Sequence, residues 1–151
     1  MSLPARSLLR LLLVLACAPP LSACARDFVL ASPPVEGRVL ERETNQPIPG
    51  ARVVVLWKGT VGWSGTVCFH VATASTDADG AYRLPAWRKP SPYGDIQDRA
   101  HLTLAYKPGY AEAGGKKDTV YLQPFTGSRE ERLAYLKRVS SASGCPSAGP
   151  S

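Results

Sequence analysis

The sequence predicts an all-β domain: an antiparallel β-sandwich of about seven short strands followed by a short C-terminal helix. Three observations lead there. Stretches of about four to ten residues either alternate apolar with polar side chains or gather β-branched ones, the patterns of half-buried and central strands. Turn residues separate these stretches, drawn from 14 Pro and 13 Gly in 151 residues. A single helix-start signature, Ser128-Arg-Glu-Glu131, stands near the C-terminus.

The elements follow in order. Val35 to Arg42 alternates apolar and polar residues and reads as an edge-like strand. Thr44 to Gly50 holds Asn45, Pro47, Pro49 and Gly50 and reads as a turn. Ala51 to Lys58 is too apolar to face water on both sides, so it reads as a central strand, and Gly59 to Thr66 as a loop around Trp63. Val67 to Thr76 gives the next strand, followed by the hairpin signal Asp77-Ala-Asp-Gly80 and the strand Ala81 to Ala86. Trp87 to Asp98, with Pro90, Pro92 and Gly94, reads as a long loop. Ala100 to Lys107 alternates again, Pro108 to Tyr110 turns the chain, and Asp118 to Gln123 is the last strand. The capping box then opens a helix to Val139, with Lys137 and Arg138 near its end as the helix dipole prefers. Residues 140–151 are Ser, Gly, Pro and Ala-rich and read as a tail pinned by Cys145.

The N-terminus sets the compartment. Arg6 and Arg10, with no acid beside them, precede the apolar run Leu11 to Ala18, the layout of a secretory signal and far short of the ~20 apolar residues that span a membrane. Leu21-Ser22-Ala23-Cys24 resembles the bacterial lipobox, in which the Cys thiol is acylated and cleavage leaves that Cys first. The competing reading is cleavage after Ala25, which releases a soluble periplasmic protein. Lipidation divides the chain into a signal peptide (1–23), a lipid-anchored tether (24–34), the sandwich (35–126), the helix (127–139) and the tail. Removing 23 of the 151 residues leaves 128 and takes Arg6 and Arg10, so the formal charge falls from +6 to +4. A chain of that size can bury roughly two thirds of its unfolded surface, enough for one core. Its positive charge forms no Lys/Arg cluster, so nucleic acid is not expected as a partner. Lipoproteins kept in the inner membrane typically carry Asp after the acylated Cys. Ala25 stands there, so the resemblance implies the outer membrane, with the body on its periplasmic side.

Cysteine chemistry follows from export. With Cys17 lost and Cys24 acylated, Cys68 and Cys145 remain and are expected to pair in an oxidising compartment. The loop so closed would contribute roughly 4 kcal/mol on the chain-entropy model.

The motifs G-x-V (Gly37 to Val39), P-I-x-G-A-x-V (Pro47 to Val53) and T-D-x-x-G-x-Y-x-L (Thr76 to Leu84) stand at fixed spacing. Together they resemble the carboxypeptidase regulatory-like domain, a transthyretin-like sandwich. The likeness is strong over 35 to about 85, and pattern alone extends it to about 123. It implies a small module without catalysis of its own that stabilises, pairs or binds carbohydrate. The same residues have a plain physical reading: Gly50 and Gly80 supply turn conformations, and Asp77 closes its own turn through backbone amides.

Other chemistries fit less well. Asp77 and Asp79 beside Gly80 lack the third oxygen position and distal Glu of a calcium loop. Cys68 and His70 at i, i+2 are expected on one strand face; with His101 and Cys145 they count four metal-ligand types, but no ligand-pair spacing accompanies them, and no metal or other cofactor is assigned. There is no G-x-S-x-G elbow. Neither the C-terminal Tyr-Arg-Gly-Ser of hydroxyisourate hydrolases nor the H-x-H iron pair of intradiol dioxygenases is present. Trp63, Trp87, Tyr93 and Tyr110 in or beside loops are candidate contacts for glycan or an envelope protein, weighed against rim packing. The expectation is therefore a non-catalytic, lipid-anchored envelope module. The alternative is an accessory subunit or weak hydrolase using His70 or His101.

Overall fold

The computed structural model describes residues 28–62 and 65–142. The signal, Cys24, Trp63 and Cys145 lie outside the described residues. The fold is all-β with one C-terminal helix: β1 (Val29–Ser32), β2 (Val35–Glu41), β3 (Arg52–Thr60), β4 (Thr66–Ser75), β5 (Ala81–Leu84), β6 (Trp87–Pro90), β7 (Gln97–Tyr106), β8 (Tyr110–Lys116), β9 (Thr119–Pro124) and α1 (Arg129–Ala142). One sheet has the order β5-β2-β9-β8 and a second β4-β3-β7, while β1 and β6 form a two-stranded ribbon.

The two larger sheets share one core. Val53, Val55 and Trp57 of β3, Phe69 of β4 and Ala105 of β7 pack in one cluster with Val39 of β2, Tyr82 and Leu84 of β5, and Val120 and Leu122 of β9. Their i, i+2 spacing is the strand period, which sends alternate side chains to one face. Tyr82 also links the sheets by a hydrogen bond with Thr103 of β7, and burial raises its phenol pKa. Gly37 makes room for it: a Cβ there would lie 2.7 Å from Tyr82 Cζ and press on the Asp118 carbonyl.

Three expectations need correction. First, there are nine strands among the described residues. The stretch expected to be tether contains β1, and the stretch expected to be loop begins with β6; they pair antiparallel, Leu30 opposite Lys89 and Ser32 opposite Trp87. Four-residue strands joined across the whole of β2 to β5 leave no local pattern to find. The physical reason for β1 is that Leu30, only 2% exposed, belongs to the core. β8 is a further strand without a strand-like sequence, because Ala111, Ala113, Gly114 and Gly115 are poor strand formers; its pairing with β9 is irregular between Glu112 and Gly115.

Second, the sheet is mixed. β2 is internal, not an edge, running antiparallel to β5 and parallel to β9 with Arg38 opposite Thr119 and Val39 opposite Val120. Third, α1 continues past Val139 into residues assigned to the tail, so Lys137 and Arg138 do not fall in its last turn. Its start agrees with the sequence: Ser128 N–H donates to Glu131 Oε2 at 2.7 Å and Glu131 N–H donates to Ser128 Oγ at 3.2 Å. Leu133 is 59% exposed; the helix docks instead through Tyr135, whose hydroxyl accepts the Glu112 N–H at 2.8 Å and whose ring lies 6.3 Å from that of Phe125.

Candidate functional site

The motif segments converge at one end of the fold. Val39 N–H donates to Gly80 O at 2.8 Å, and Ile48 N–H donates to Val39 O at 3.0 Å. Gly50 (φ 67°) and Gly80 (φ 69°) take the left-handed conformation expected of them. Asp77 Oδ1 accepts from Asp79 N–H at 2.9 Å and Ala81 N–H at 2.8 Å, closing its turn. Thr76, whose role has no local marker in the sequence, is buried and joins the pieces: its Oγ1 donates to Ile48 O at 2.6 Å and accepts from Ala51 N–H at 2.8 Å. The adjoining cleft, about 520 Å³, is lined by Glu36, Arg38, Asp77 and Arg83, with Glu36 and Arg83 paired at 3.1 Å on an exposed surface. A second hollow of about 510 Å³ lies between α1 and β8–β9, lined by Glu112, Phe125, Glu131 and Tyr135.

At the opposite end of the β4-β3-β7 sheet, both histidines flank one tryptophan. Trp57 is the register partner of His70 on β4 and of His101 on β7. The His70 and His101 rings lie 5.0 and 6.2 Å from the Trp57 ring. Trp87 of β6 completes the cluster, edge-on to Trp57 at 5.4 Å and 4.1 Å from His70, with Lys89 Nζ 5.8 Å from its ring centroid. Burial, with a smaller contribution from the Lys89 charge, lowers the pKa of the partly buried His70. No described side chain hydrogen-bonds either imidazole. An activated nucleophile or base is normally held by such a bond. The Trp87 indole N–H is buried and finds no acceptor among the described residues.

The sequence signal for this cluster was present but unreadable. His70 and His101 are far apart in the chain, and only the pairing of β3 with both neighbours brings them to one tryptophan.

The expected shared face of Cys68 and His70 is corrected. An irregularity between Trp57 and Lys58 sets His70 opposite Trp57 but Cys68 opposite Lys58, so the two side chains take opposite faces. The Cys68 sulfur lies 3.8 Å from His70 O and is not free. Among the described residues no group of three His, Cys, Asp or Glu could hold a metal ion.

The candidate aromatic contacts separate. Trp87 and Tyr110 are partly buried against the core from different sheets, and Tyr93, 47% exposed, stands in the β6–β7 turn. Lys107 Nζ lies 5.8 Å from the Tyr110 ring centroid. Among the described residues no helix is long and apolar enough to cross a membrane. Compared with family models, curated proteins and solved structures, the chain matches none.

Proposed function

We propose that the chain is a non-catalytic, lipid-anchored module of the bacterial envelope. Acyl chains on Cys24 hold a carboxypeptidase regulatory-like body at the periplasmic side of the outer membrane, where it meets an envelope protein or glycan. The observation that carries this reading is the use made of the motif residues. Thr76, Asp77, Gly80, Ile48 and Ala51 hydrogen-bond to one another or to β2 and so serve the scaffold. The histidines of the hydrolase alternative are engaged in ring packing around Trp57.

The lipobox-like run at Leu21 to Cys24 supports the anchor. Stable anchoring needs two signals such as two acyl chains, since one chain binds only marginally. Fractionation tests the proposal: wild-type protein should sediment with outer membranes, and Cys24→Ala should leave that fraction. His70→Ala and His101→Ala should leave partner or glycan binding intact, whereas loss of a hydrolytic activity in either would favour the enzyme reading.

A further inference from the structure

Among the described residues, the large apolar side chains left exposed include Phe28 (43%) just before β1, Val29 (38%) on β1 and Tyr93 (47%) in the β6–β7 turn. They are neighbours: Ser91 N–H donates to Phe28 O at 2.7 Å, Tyr93 N–H donates to Ser91 Oγ at 3.3 Å, and Val29 is the register partner of Pro90. Alternation fixes which way the ribbon faces. Leu30 and Ser32 are buried on its inner side, so Val29, Ala31 and the exposed Arg88 opposite Ala31 turn outward, whereas Phe28, which precedes β1, is exposed at the ribbon's end beyond the sheet. Such a cluster of exposed apolar side chains on a small body marks an interaction surface.

The chain length decides what that surface meets. Phe28 is four residues after Cys24, and four residues fully extended reach at most about 14 Å. The polar headgroup region on each side of a bilayer is about 5–7 Å deep. An acyl chain on Cys24 therefore keeps Phe28 and the start of this ribbon within about a side chain's length of the lipid surface. Tyr and Phe suit the boundary between headgroups and acyl chains, and Arg suits phosphate.

We propose that the β1–β6 ribbon is a lipid-facing surface, with Phe28, Val29 and Tyr93 seated among phospholipid headgroups and Arg88 directed at their phosphates. This rests on the anchor reading above and adds an orientation to it: the ribbon faces the bilayer.

Hydroxyl-radical labelling of side chains tests it. Full-length processed protein would be reconstituted in vesicles of phosphatidylethanolamine and phosphatidylglycerol, with Cys24→Ala protein in solution as the reference. Acylation would be read separately by intact mass. Tyr106 (37% exposed) and Leu102 (44%) on β7 serve as controls of similar exposure.

The expected result is that Phe28 and Tyr93 lose labelling on vesicles by about threefold or more, as side chains shielded by headgroups should, while Tyr106 and Leu102 keep theirs. In Phe28→Ser/Tyr93→Ser protein, Val29 should regain its labelling. Unchanged labelling of Phe28 and Tyr93 in protein shown to be acylated overturns the lipid-facing surface and leaves the anchor standing. Wild-type protein that intact mass shows to be unacylated, and that is still protected at Phe28 and Tyr93 on the vesicles, supports the surface and overturns the anchor. Protection of these residues by peptidoglycan fragments but not by vesicles overturns the proposal in favour of a glycan contact.

Discussion

Thr76 Oγ1 donates to the carbonyl of Ile48 at 2.6 Å while accepting the N–H of Ala51 at 2.8 Å, so one buried hydroxyl ties the end of β4 to the turn that launches β3. An isosteric valine side chain in its place would leave both backbone groups without a partner. Thr76→Val should cost about 1–3 kcal/mol, the range for stranding a buried polar group, seen as a lower urea midpoint at unchanged slope. Thr76→Ser should recover most of the loss.

Gly50 and Gly80 share a left-handed φ, but their surroundings differ. A Cβ at Gly50 meets nothing within 4 Å, whereas one at Gly80 falls 2.6 Å from Val39 O and 3.1 Å from Ile48 N. Gly50→Ala should therefore cost only the backbone term of about 1–2 kcal/mol. Gly80→Ala should cost clearly more, because the clash lies with backbone that cannot swing away. Paired urea titrations of the two variants check the order.

His70 gives stability an acid-side dependence. Its lowered pKa means that the unfolded chain takes up a proton near the ordinary value of 6.5 while the folded chain still resists it. Stability is then fully present above 6.5 and falls as pH drops from there towards the folded value, because the unfolded state binds more protons in that window. Thermal melts from about pH 8 to about pH 5 should show the decline. In His70→Gln protein its slope through this window should be smaller.

Glu112 has the opposite sign. Burial raises its pKa, although its carboxylate accepts a hydrogen bond from the Ala105 backbone. Its stabilising effect is present below the ordinary carboxylate range and is lost as pH rises through the folded value, where the charge must be carried partly buried. Glu112→Gln keeps an acceptor and sheds the charge, so the variant should melt higher than wild type at about pH 7 and close to it at about pH 4.

Cys68 shares the outer face of β3–β4 with Leu56, which is 2% exposed yet stands outside the shared core cluster. A bond to Cys145, three residues beyond the end of α1, would carry the following chain onto that face. Non-reducing peptide mapping should recover Cys68 joined to Cys145. Cys145→Ser should lose up to about 4 kcal/mol, the chain-entropy value for a loop of this length. An unmodified thiol at either position in protein isolated under non-reducing conditions would count against the pairing.

What the sequence made legible was local. The β-branched run of β3, the Asp77–Gly80 turn and the Ser128–Glu131 cap each carry their signal within a few residues, and each stands where the residues placed it. What stayed hidden depends on distant partners. β1 and β6 are four-residue strands that exist by virtue of each other and of the core beneath Leu30. The parallel pairing of β2 with β9 joins strands from opposite ends of the domain. The same holds for the site. The turn roles of Gly50, Gly80 and Asp77 were readable, but Thr76 needed its partners from the Ile48–Ala51 turn, and the His70–Trp57–His101 row needed the strand order of a whole sheet. The irregularity at Trp57 and Lys58, which parts Cys68 from His70, stands beside Gly59, but that glycine reads equally well as the start of the following loop and so does not mark a register shift within the strand.

The claim on which orientation, compartment and role all depend is acylation of Cys24. Metabolic labelling with an acyl-chain analogue in cells producing wild type or Cys24→Ala tests it most directly. Label on the wild-type band and none on Cys24→Ala is the predicted result. A processed wild-type protein that carries no label would contradict the account.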